Sequence, residues 1–291
     1  MPRPFTAIAL LALFFASVEA RAFETCPSFF AEGRAPELVN PKLSAKTTPL
    51  CYEAFALLHS GETRTPLYAA ERLTRQGIAA ARKIDRDDAF HEEDRLPEAS
   101  RAQLEDYVRS GFDRGHMAPA GNMPTHKAQA ESFTLANIVP QARNLNRNLW
   151  ASIEESVRRL ASERGTIFVV TGPIFAGNPV ELINDRVLVP TQVFKAIYDP
   201  ERGEAAAYLA PNRDDGDWQS VSIQRLEALS GLDVFPGLPE AMKAHGMELP
   251  EPRAYGGGRD RPREESFEAW ARNELYRLAK RLWRNLLRSI F

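Results

Sequence analysis

The stretch GFDRGHMAPAGNMPTHKAQAESFTLANIVPQARNLNRNLW, residues 111–150, places a histidine directly after an Asp-Arg-Gly triplet and follows it with asparagines. A neutral imidazole such as that of His116 can take a proton from water near pH 7. Arg114 lies two residues earlier, so both side chains would share one face of an extended strand. A guanidinium beside a base suits an anionic substrate such as a phosphate group. The alternative for a histidine taken singly is a structural role.

The stretch continues into a predicted helix over residues 146–164. Its apolar residues recur at helical spacing, and Gly165 follows as a stop signal. Asn146 at the helix start can offer an amide oxygen to a hard cation such as Mg²⁺, or it can cap the helix. Glu154 borders the apolar seam, and Arg158 follows four residues later. The pair is either a surface ion pair or part of a site in which the carboxylate orients a metal's water shell or the arginines.

The composition of the 291-residue chain, 44% hydrophobic and 26% charged, is that of a soluble globular protein with a sizeable core. A formal net charge of -2 gives no overall positive field. A local basic cleft can nevertheless bind a polyanion in a protein of neutral balance. After the N-terminal segment, no apolar run is long enough to span a bilayer.

The N-terminal residues 1–20 are typical of a secretory signal peptide, with Arg3 before a short apolar run and small residues that allow cleavage after Ala20 or Ala22. An uncleaved membrane anchor is the alternative, but the run is short for a bilayer that needs about 20 apolar residues. This segment predicts a secreted or periplasmic protein.

The two cysteines, Cys26 and Cys51, both lie near the start of the mature chain. In an oxidising compartment they would most simply form one disulfide, and the alternative is a pair of unlinked buried thiols. We therefore expect residues 21–51 to form an irregular arm that is stapled by the disulfide.

Apolar, β-branched runs alternate with turn residues over residues 52–250, and two helices are predicted there, at residues 146–164 and 222–231. This pattern predicts one α+β domain. Residues 251–265 have a linker composition, and residues 266–291 form a predicted basic amphipathic helix. That helix could pack on the domain, pack on a second subunit in a homodimer, grip phosphate backbones, or rest on an anionic membrane surface.

The segments DRGHMAPAGNM and SFTLANIVPQARNLNRNLWASIE, with VTGPIF, VPTQVFKAIYD and SIQRLEALSGLDVFP, resemble the DNA/RNA non-specific endonuclease family. The resemblance spans roughly residues 64–238, and its motifs occur in the family's order. It implies a ββα-metal nuclease fold, in which two strands and a helix hold one divalent ion beside a mixed or antiparallel sheet flanked by helices.

The resemblance also implies roles for individual residues. His116 is similar to the family's general base, and Asn146 to the only direct protein ligand of a hydrated Mg²⁺, for which Mn²⁺ is an alternative. Arg114 would contact the phosphate, and Glu154 would hold the waters of the ion. The remaining implied site residues are Asn137, Arg158 and an upstream arginine, which is matched to Arg82, with the nearby Arg86 as the alternative.

These expectations describe a metal-dependent, sugar-nonspecific endonuclease that acts on DNA, with RNA as a second expected substrate. All the implied contacts aim at the phosphate group, so weak base selectivity follows. The alternative is a non-catalytic nucleic-acid-binding or toxin-like module on the same scaffold. Joint retention of His116, Asn146 and Glu154 favours the enzyme, because simple binding needs none of them.

Overall fold

A computed structural model of the chain describes residue 23 and residues 25–177 and 180–252. The predicted signal peptide, the predicted helix over residues 266–291 and most of the predicted linker lie outside the described residues. No helix among the described residues combines the length and the apolar character needed to cross a membrane.

The centre of the molecule is a seven-stranded sheet with antiparallel neighbours in the order β12-β11-β10-β7-β4-β3-β2. Helices cover it, which confirms the predicted α+β class. The sheet strands are β2 (Thr47–Cys51), β3 (Ala56–Ser60), β4 (Thr65–Thr74), β7 (Thr166–Ile174), β10 (Gln192–Asp199), β11 (Glu204–Pro211) and β12 (Gln219–Val221).

The described part of the chain forms three further strand pairs. Of these, the antiparallel pair of β5 and β6 contains the Asp-Arg-Gly-His motif. The pairs are β1 (Glu37–Leu38) with β13 (Leu232–Asp233), β5 (Asp113–His116) with β6 (Ile138–Gln141), and β8 (Leu182–Ile183) with β9 (Val187–Leu188).

The helices begin and end where local sequence signals place them. Thr74, Thr125 and Ser222 each cap a helix by accepting a backbone N–H bond, and Gly231 ends one in the left-handed conformation. The helices are α1 (Arg75–Ala81), α2 (His126–Ser132), α3 (Ala151–Arg164), α4 (Ile223–Ser230) and α5 (Glu240–Ala244), with a π-helical segment (Leu145–Trp150) leading directly into α3.

Both faces of the sheet are covered, so side chains on each side of its central strands are buried. On one face, Val169, Val193 and Ile197 pack with Trp150 and Ile153 of the helical segment. On the other, the core includes residues of α4 and of the N-terminal segment.

The N-terminal segment is more regular than its sequence predicted. The disulfide between Cys26 and Cys51 is present, with 6.1 Å between the two Cα atoms. However, Thr47–Cys51 is the edge strand of the large sheet, and Glu37–Leu38 pairs with β13. In the structure the segment is therefore integrated into the fold of residues 52–250, because its backbone completes the domain's own sheets.

Candidate active site

The motif strand β5 is tied to the helix that follows β6. Asp113 accepts a hydrogen bond from Nδ2 of Asn146 at 3.1 Å and forms an ion pair with Nε of Arg147 at 2.8 Å. His116 stands opposite Ile138 in the antiparallel pairing. The Asp113 carboxylate thus joins β5 to the helical segment, and strand pairing joins β5 to β6, which gives the ββα arrangement that the resemblance implied.

The imidazole of His116 is 8% exposed and lies among aromatic rings. Its ring centroid is 4.9 Å from that of Phe133, edge to face, and 5.5 Å from that of Phe90. Its Nε2 is buried with no hydrogen-bond partner in the described structure. Burial, and then the charges of Arg86 and Arg114, lower the pKa of His116 well below 6.5. The imidazole is therefore neutral at pH 7, with a ring nitrogen available for a new hydrogen bond.

Arg114 is partly buried and places its guanidinium carbon 4.4 Å from the centroid of the Phe90 ring. His116 packs near the same ring, so both side chains lie on one side of the strand, as their spacing predicted. Gly115, between them, is required by packing: a Cβ there would meet Oε1 of Gln141 and lie 2.6 Å from its Cβ. The space beside Gly115 is therefore filled by the side chain of Gln141.

Asn146 is partly buried in the π-helical segment and does not act as a helix N-cap. Its Nδ2 is directed to Asp113, and among the described residues its Oδ1 accepts no hydrogen bond. No group of three or more His, Cys, Asp or Glu side chains in the described part of the chain could hold a metal ion. A free amide oxygen fits a hard cation that keeps most of its waters, which is the manner in which Mg²⁺ binds.

Glu154 is partly buried in α3. Burial raises its pKa, while the positive charges of Lys195, Arg158 and Arg86 oppose that rise. The ion pair that we considered between Glu154 and Arg158 is not formed. Instead, Nε of Arg158 binds Oε2 of Glu155 at 2.8 Å, which leaves the Glu154 carboxylate for other partners.

Asn137, which the resemblance implies as a site residue, has its side chain engaged by backbone groups. Its fully buried amide donates to the carbonyls of Ala118 and Ser132 at 2.8 and 2.9 Å and accepts from the N–H of Ala118 at 2.9 Å. It would have to break these bonds to contact a substrate. The structure thus gives Asn137 the place of a clamp on the chain that follows His116.

The two upstream arginines are distinguished by their surroundings. Arg82, at the end of α1, pairs with Glu155 at 3.3 Å, and its side chain is 55% exposed. Arg86 lies 5.4 Å from the centroid of the Phe133 ring, and its charge influences both His116 and Glu154. The first choice, Arg82, therefore gives way to Arg86 as the arginine beside the predicted base.

Sequence reasoning missed a set of charged residues behind the site. Glu71 of β4 and Lys195 of β10 are each 1% exposed, and both interact electrostatically with Glu154. Nδ2 of Asn122 donates to Oε1 of Glu71 at 2.9 Å. The only available signal was a charged residue inside an otherwise apolar strand, because residues so distant in sequence show no local spacing.

Comparison with known proteins supports the geometry. The family model described as DNA/RNA non-specific endonuclease matches residues 35–241, well over half of the chain. A solved structure of the EndoG/EndoGI complex, which concerns EndoG inhibition, superimposes with a TM-score of 0.60 at 28% identity over 67% of this chain and 88% of that chain. These matches confirm the predicted ββα-metal nuclease fold.

Several curated relatives are named as nucleases. The mitochondrial Nuclease 1 of Schizosaccharomyces pombe is 33% identical over 61% of this chain and 63% of its own length. The human mitochondrial nuclease EXOG is 35% identical over 66% and 58%, respectively. Endonuclease G of Caenorhabditis elegans mitochondria is 31% identical over 70% and 73%. The chain thus spans less than two thirds of the yeast and human proteins.

These names correct one prediction. We predicted a secreted or periplasmic protein from residues 1–20, but the relatives from fission yeast, human and nematode are mitochondrial nucleases. They point to a mitochondrial location, so the predicted secreted or periplasmic location is wrong. The general N-terminal pattern of a basic residue and an apolar run did not identify the compartment. The motif, the ββα geometry and the comparisons agree that the chain belongs to the DNA/RNA non-specific endonuclease family, whose members are metal-dependent nucleases.

Proposed function

We propose that the protein is a Mg²⁺-dependent, sugar-nonspecific endonuclease that hydrolyses phosphodiester bonds in DNA and RNA, with His116 as the general base. The observation that carries this proposal is the buried, unpartnered Nε2 of His116 on a strand that Asp113 ties to Asn146. A neutral imidazole in such a place is suited to accept a proton from an attacking water.

Arg86 and Arg114 would make the basicity of His116 depend on bound substrate. The charges of Arg86 and Arg114 lower the pKa of His116 when no anion is near. A bound phosphate would offset those charges, so the imidazole would become a stronger base when substrate arrives. Arg114 and Arg86 would also neutralise the charge that develops on the phosphate oxygens during attack.

Asn146 would hold the ion through its free Oδ1, since its Nδ2 is fixed on Asp113. A divalent ion at this position supplies stabilisation of negative charge on the departing oxygen. Glu154 would accept hydrogen bonds from the waters of that ion. Arg158, which is paired with Glu155, would place a positive charge near the Glu154 carboxylate. Mn²⁺ is expected to replace Mg²⁺, because both accept oxygen ligands.

The experiment that tests this function is digestion of supercoiled DNA, single-stranded DNA and RNA by the full chain, with Mg²⁺, with Mn²⁺ and with excess chelator. We expect internal cuts in all three substrates with either ion and none with chelator. Cleavage that continues in chelator would overturn the metal requirement. Retained DNA binding without cleavage under every condition would instead favour the non-catalytic binding module.

A further inference from the structure

We propose that Phe90 is a positioning residue of the reaction site: its ring holds the guanidinium of Arg114 and the imidazole of His116 in one fixed arrangement before substrate binds. This inference rests on the proposed function, because it concerns the two side chains that would meet the phosphate and the attacking water. Phe90 lies in the chain between α1 and the motif strand β5, and sequence reasoning assigned it no role.

The ring of Phe90 contacts both side chains that the motif strand presents on one side. The guanidinium carbon of Arg114 lies 4.4 Å from the centroid of the Phe90 ring, and the imidazole centroid of His116 lies 5.5 Å from it. Arg114 and His116 are two residues apart on β5, so their side chains project from the same face. A single ring from another part of the chain therefore contacts the proposed phosphate ligand and the proposed base together.

A second ring fixes the position of the first. Phe133 is fully buried and meets the Phe90 ring edge to face, with 4.9 Å between the centroids and 90° between the ring planes. The same Phe133 ring meets the imidazole of His116 at 4.9 Å and 86°. The three rings contact one another in pairs, so a tilt of the Phe90 ring would displace Phe133 or the imidazole.

The backbone around Phe90 is anchored by hydrogen bonds on either side. The N–H of Asp87 donates to Oε1 of the buried Gln129 side chain at 3.0 Å. The N–H of His91 donates to the carbonyl of Phe133 at 3.2 Å. These bonds connect the segment to α2 and to the residue that follows α2, so the fold places the ring of Phe90 without help from a ligand.

An aromatic ring suits this role better than an aliphatic side chain of similar size. The face of the ring attracts a guanidinium, and the attraction is stronger where water is excluded. An arginine side chain otherwise has many rotamers, which a substrate would have to order on binding. Arg114 held on Phe90 is ordered in advance, so its charge meets the developing negative charge of the phosphate without further reorganisation.

Arg86 offers a comparison with Arg114. Its guanidinium carbon lies 5.4 Å from the centroid of the Phe133 ring, and its side chain forms an ion pair with Asp88 in the same segment. Arg86 is thus held by Phe133 and Asp88. Substitution of Phe90 should therefore disturb Arg114 more than Arg86.

The substitution Phe90→Leu keeps an apolar side chain and removes the ring face. We expect kcat/KM for DNA cleavage with Mg²⁺ to fall about tenfold, because the guanidinium of Arg114 loses the ring that orders it. In the Arg114→Ala background the same substitution should lower kcat/KM by less than about threefold, since only the contact with His116 remains to be lost. In the Arg86→Ala background the fall should again be about tenfold, because the two sites are independent. Phe90→Tyr, which restores a ring, should cleave DNA within about twofold of the wild-type rate.

Two further measurements separate positioning from folding. In ¹H–¹⁵N spectra of the full chain, the Nε–H signal of Arg114, assigned from Arg114→Ala, should be shifted upfield by the ring current of Phe90. That signal should move downfield in Phe90→Leu and stay near its wild-type position in Phe90→Tyr. Phe235→Leu is the matched control, since it removes a buried ring from the core on the other face of the sheet. It should lower the midpoint of thermal unfolding without moving the Arg114 signal or kcat/KM.

Equal falls in kcat/KM on Phe90→Leu in the wild-type and Arg114→Ala backgrounds would overturn the proposal, as would an Arg114 signal that does not respond to loss of the ring. If Phe90→Leu does not fold, Phe90→Met takes its place in both comparisons. A wild-type protein that binds DNA and cuts nothing would overturn the proposed function alone. The same pair of backgrounds, compared by the Kd for DNA from fluorescence anisotropy, would then decide whether Phe90 positions Arg114.

Discussion

Phe194 and Lys195 are neighbours on one strand, both fully buried, yet they lie on opposite faces of the sheet in very different surroundings. Phe194 packs directly over Gly172, where a Cβ would lie 2.7 Å from its ring, and belongs to an apolar core. Lys195 faces Thr171 and the backbone of Met117. Next to Phe194 the sheet thus makes apolar contacts, whereas next to Lys195 it combines an apolar core with charges buried on the sheet itself.

The difference indicates a division of labour between the two faces. Burying apolar side chains stabilises the fold, whereas burying charge costs free energy unless each charge is well compensated. Several polar atoms on or near the charged face have no partner, among them Nε2 of His116, Oε2 of Glu71 and Nε1 of Trp150. Perturbed and unsatisfied groups are typical of functional sites, which accept this cost when the rest of the fold offsets it.

The largest expected effect comes from the histidine on the charged side. His116→Ala should lower the rate of plasmid cleavage by about 10²- to 10⁴-fold, because the attacking water loses its proton acceptor. DNA binding should remain, since the arginines that face phosphate are unchanged. Gel assays of cleavage and fluorescence anisotropy of binding measure the two effects separately. His126→Ala, an exposed residue of α2, is the matched control, and equal cleavage by both variants would remove His116 as the base.

On the apolar face the same kind of truncation should act on stability instead. Phe194→Ala should lower the free energy of unfolding by about 3 to 5 kcal/mol, because a fully buried ring is replaced by a cavity. The folded fraction should cleave DNA with an unchanged kcat. Urea unfolding followed by circular dichroism gives the first quantity, and activity normalised to folded protein gives the second. A large fall in kcat without a loss of stability would contradict the proposal that this face serves stability and the other face serves the reaction.

Much of the apolar face and of the motif strand could be predicted from sequence. The strands over residues 166–174 and 204–211 follow from β-branched and apolar runs, and the caps at Ser222 and Gly231 follow from known preferences. The segment VLVPTQVFKAIYD divides into β9 and β10 on either side of Pro190, which cannot donate to a ladder.

The sequence could not predict which residues distant in the chain lie close together in the fold. Glu71 and Lys195 meet because two strands flank β7, and no local spacing carries that information. The surroundings of Asn137 could not be predicted for a related reason: a motif identifies a residue but not the direction of its amide, which here is fixed on backbone groups of Ala118 and Ser132. Burial and orientation had to come from the structure.

A third prediction concerns the pH dependence of stability on the charged face. The pKa of Glu71 is raised by burial from 4.5 to about 7, so between these values the folded protein binds more protons than the unfolded chain. The free energy of unfolding should therefore fall as pH rises from about 4.5 through about 7, by at most about 3 kcal/mol. Glu71→Gln should remove this fall and leave the variant more stable than wild type at pH 8.

Thermal unfolding between pH 5 and pH 8 measures this effect. Exposed Glu163→Gln is the control, and it should show no gain that grows with pH. The same stability difference between Glu71→Gln and wild type at every pH would show that Glu71 is already ionised throughout the range, and the charged face would then be better compensated than we infer.

The smallest expected effect separates the two upstream arginines. Arg86→Ala should lower kcat/KM by about tenfold, roughly 1.4 kcal/mol, because its charge lies close enough to influence both His116 and Glu154. Arg82→Ala should have a smaller effect, since the side chain of Arg82 is more than half exposed where it pairs with Glu155. The pH profile adds a second criterion: loss of Arg86 should raise the pKa of His116 and move the acidic limb upward, which loss of Arg82 should not do. If Arg82→Ala lowered kcat/KM more than Arg86→Ala, the arginine of the site would be Arg82. The site would then extend towards Glu155 instead of Phe133.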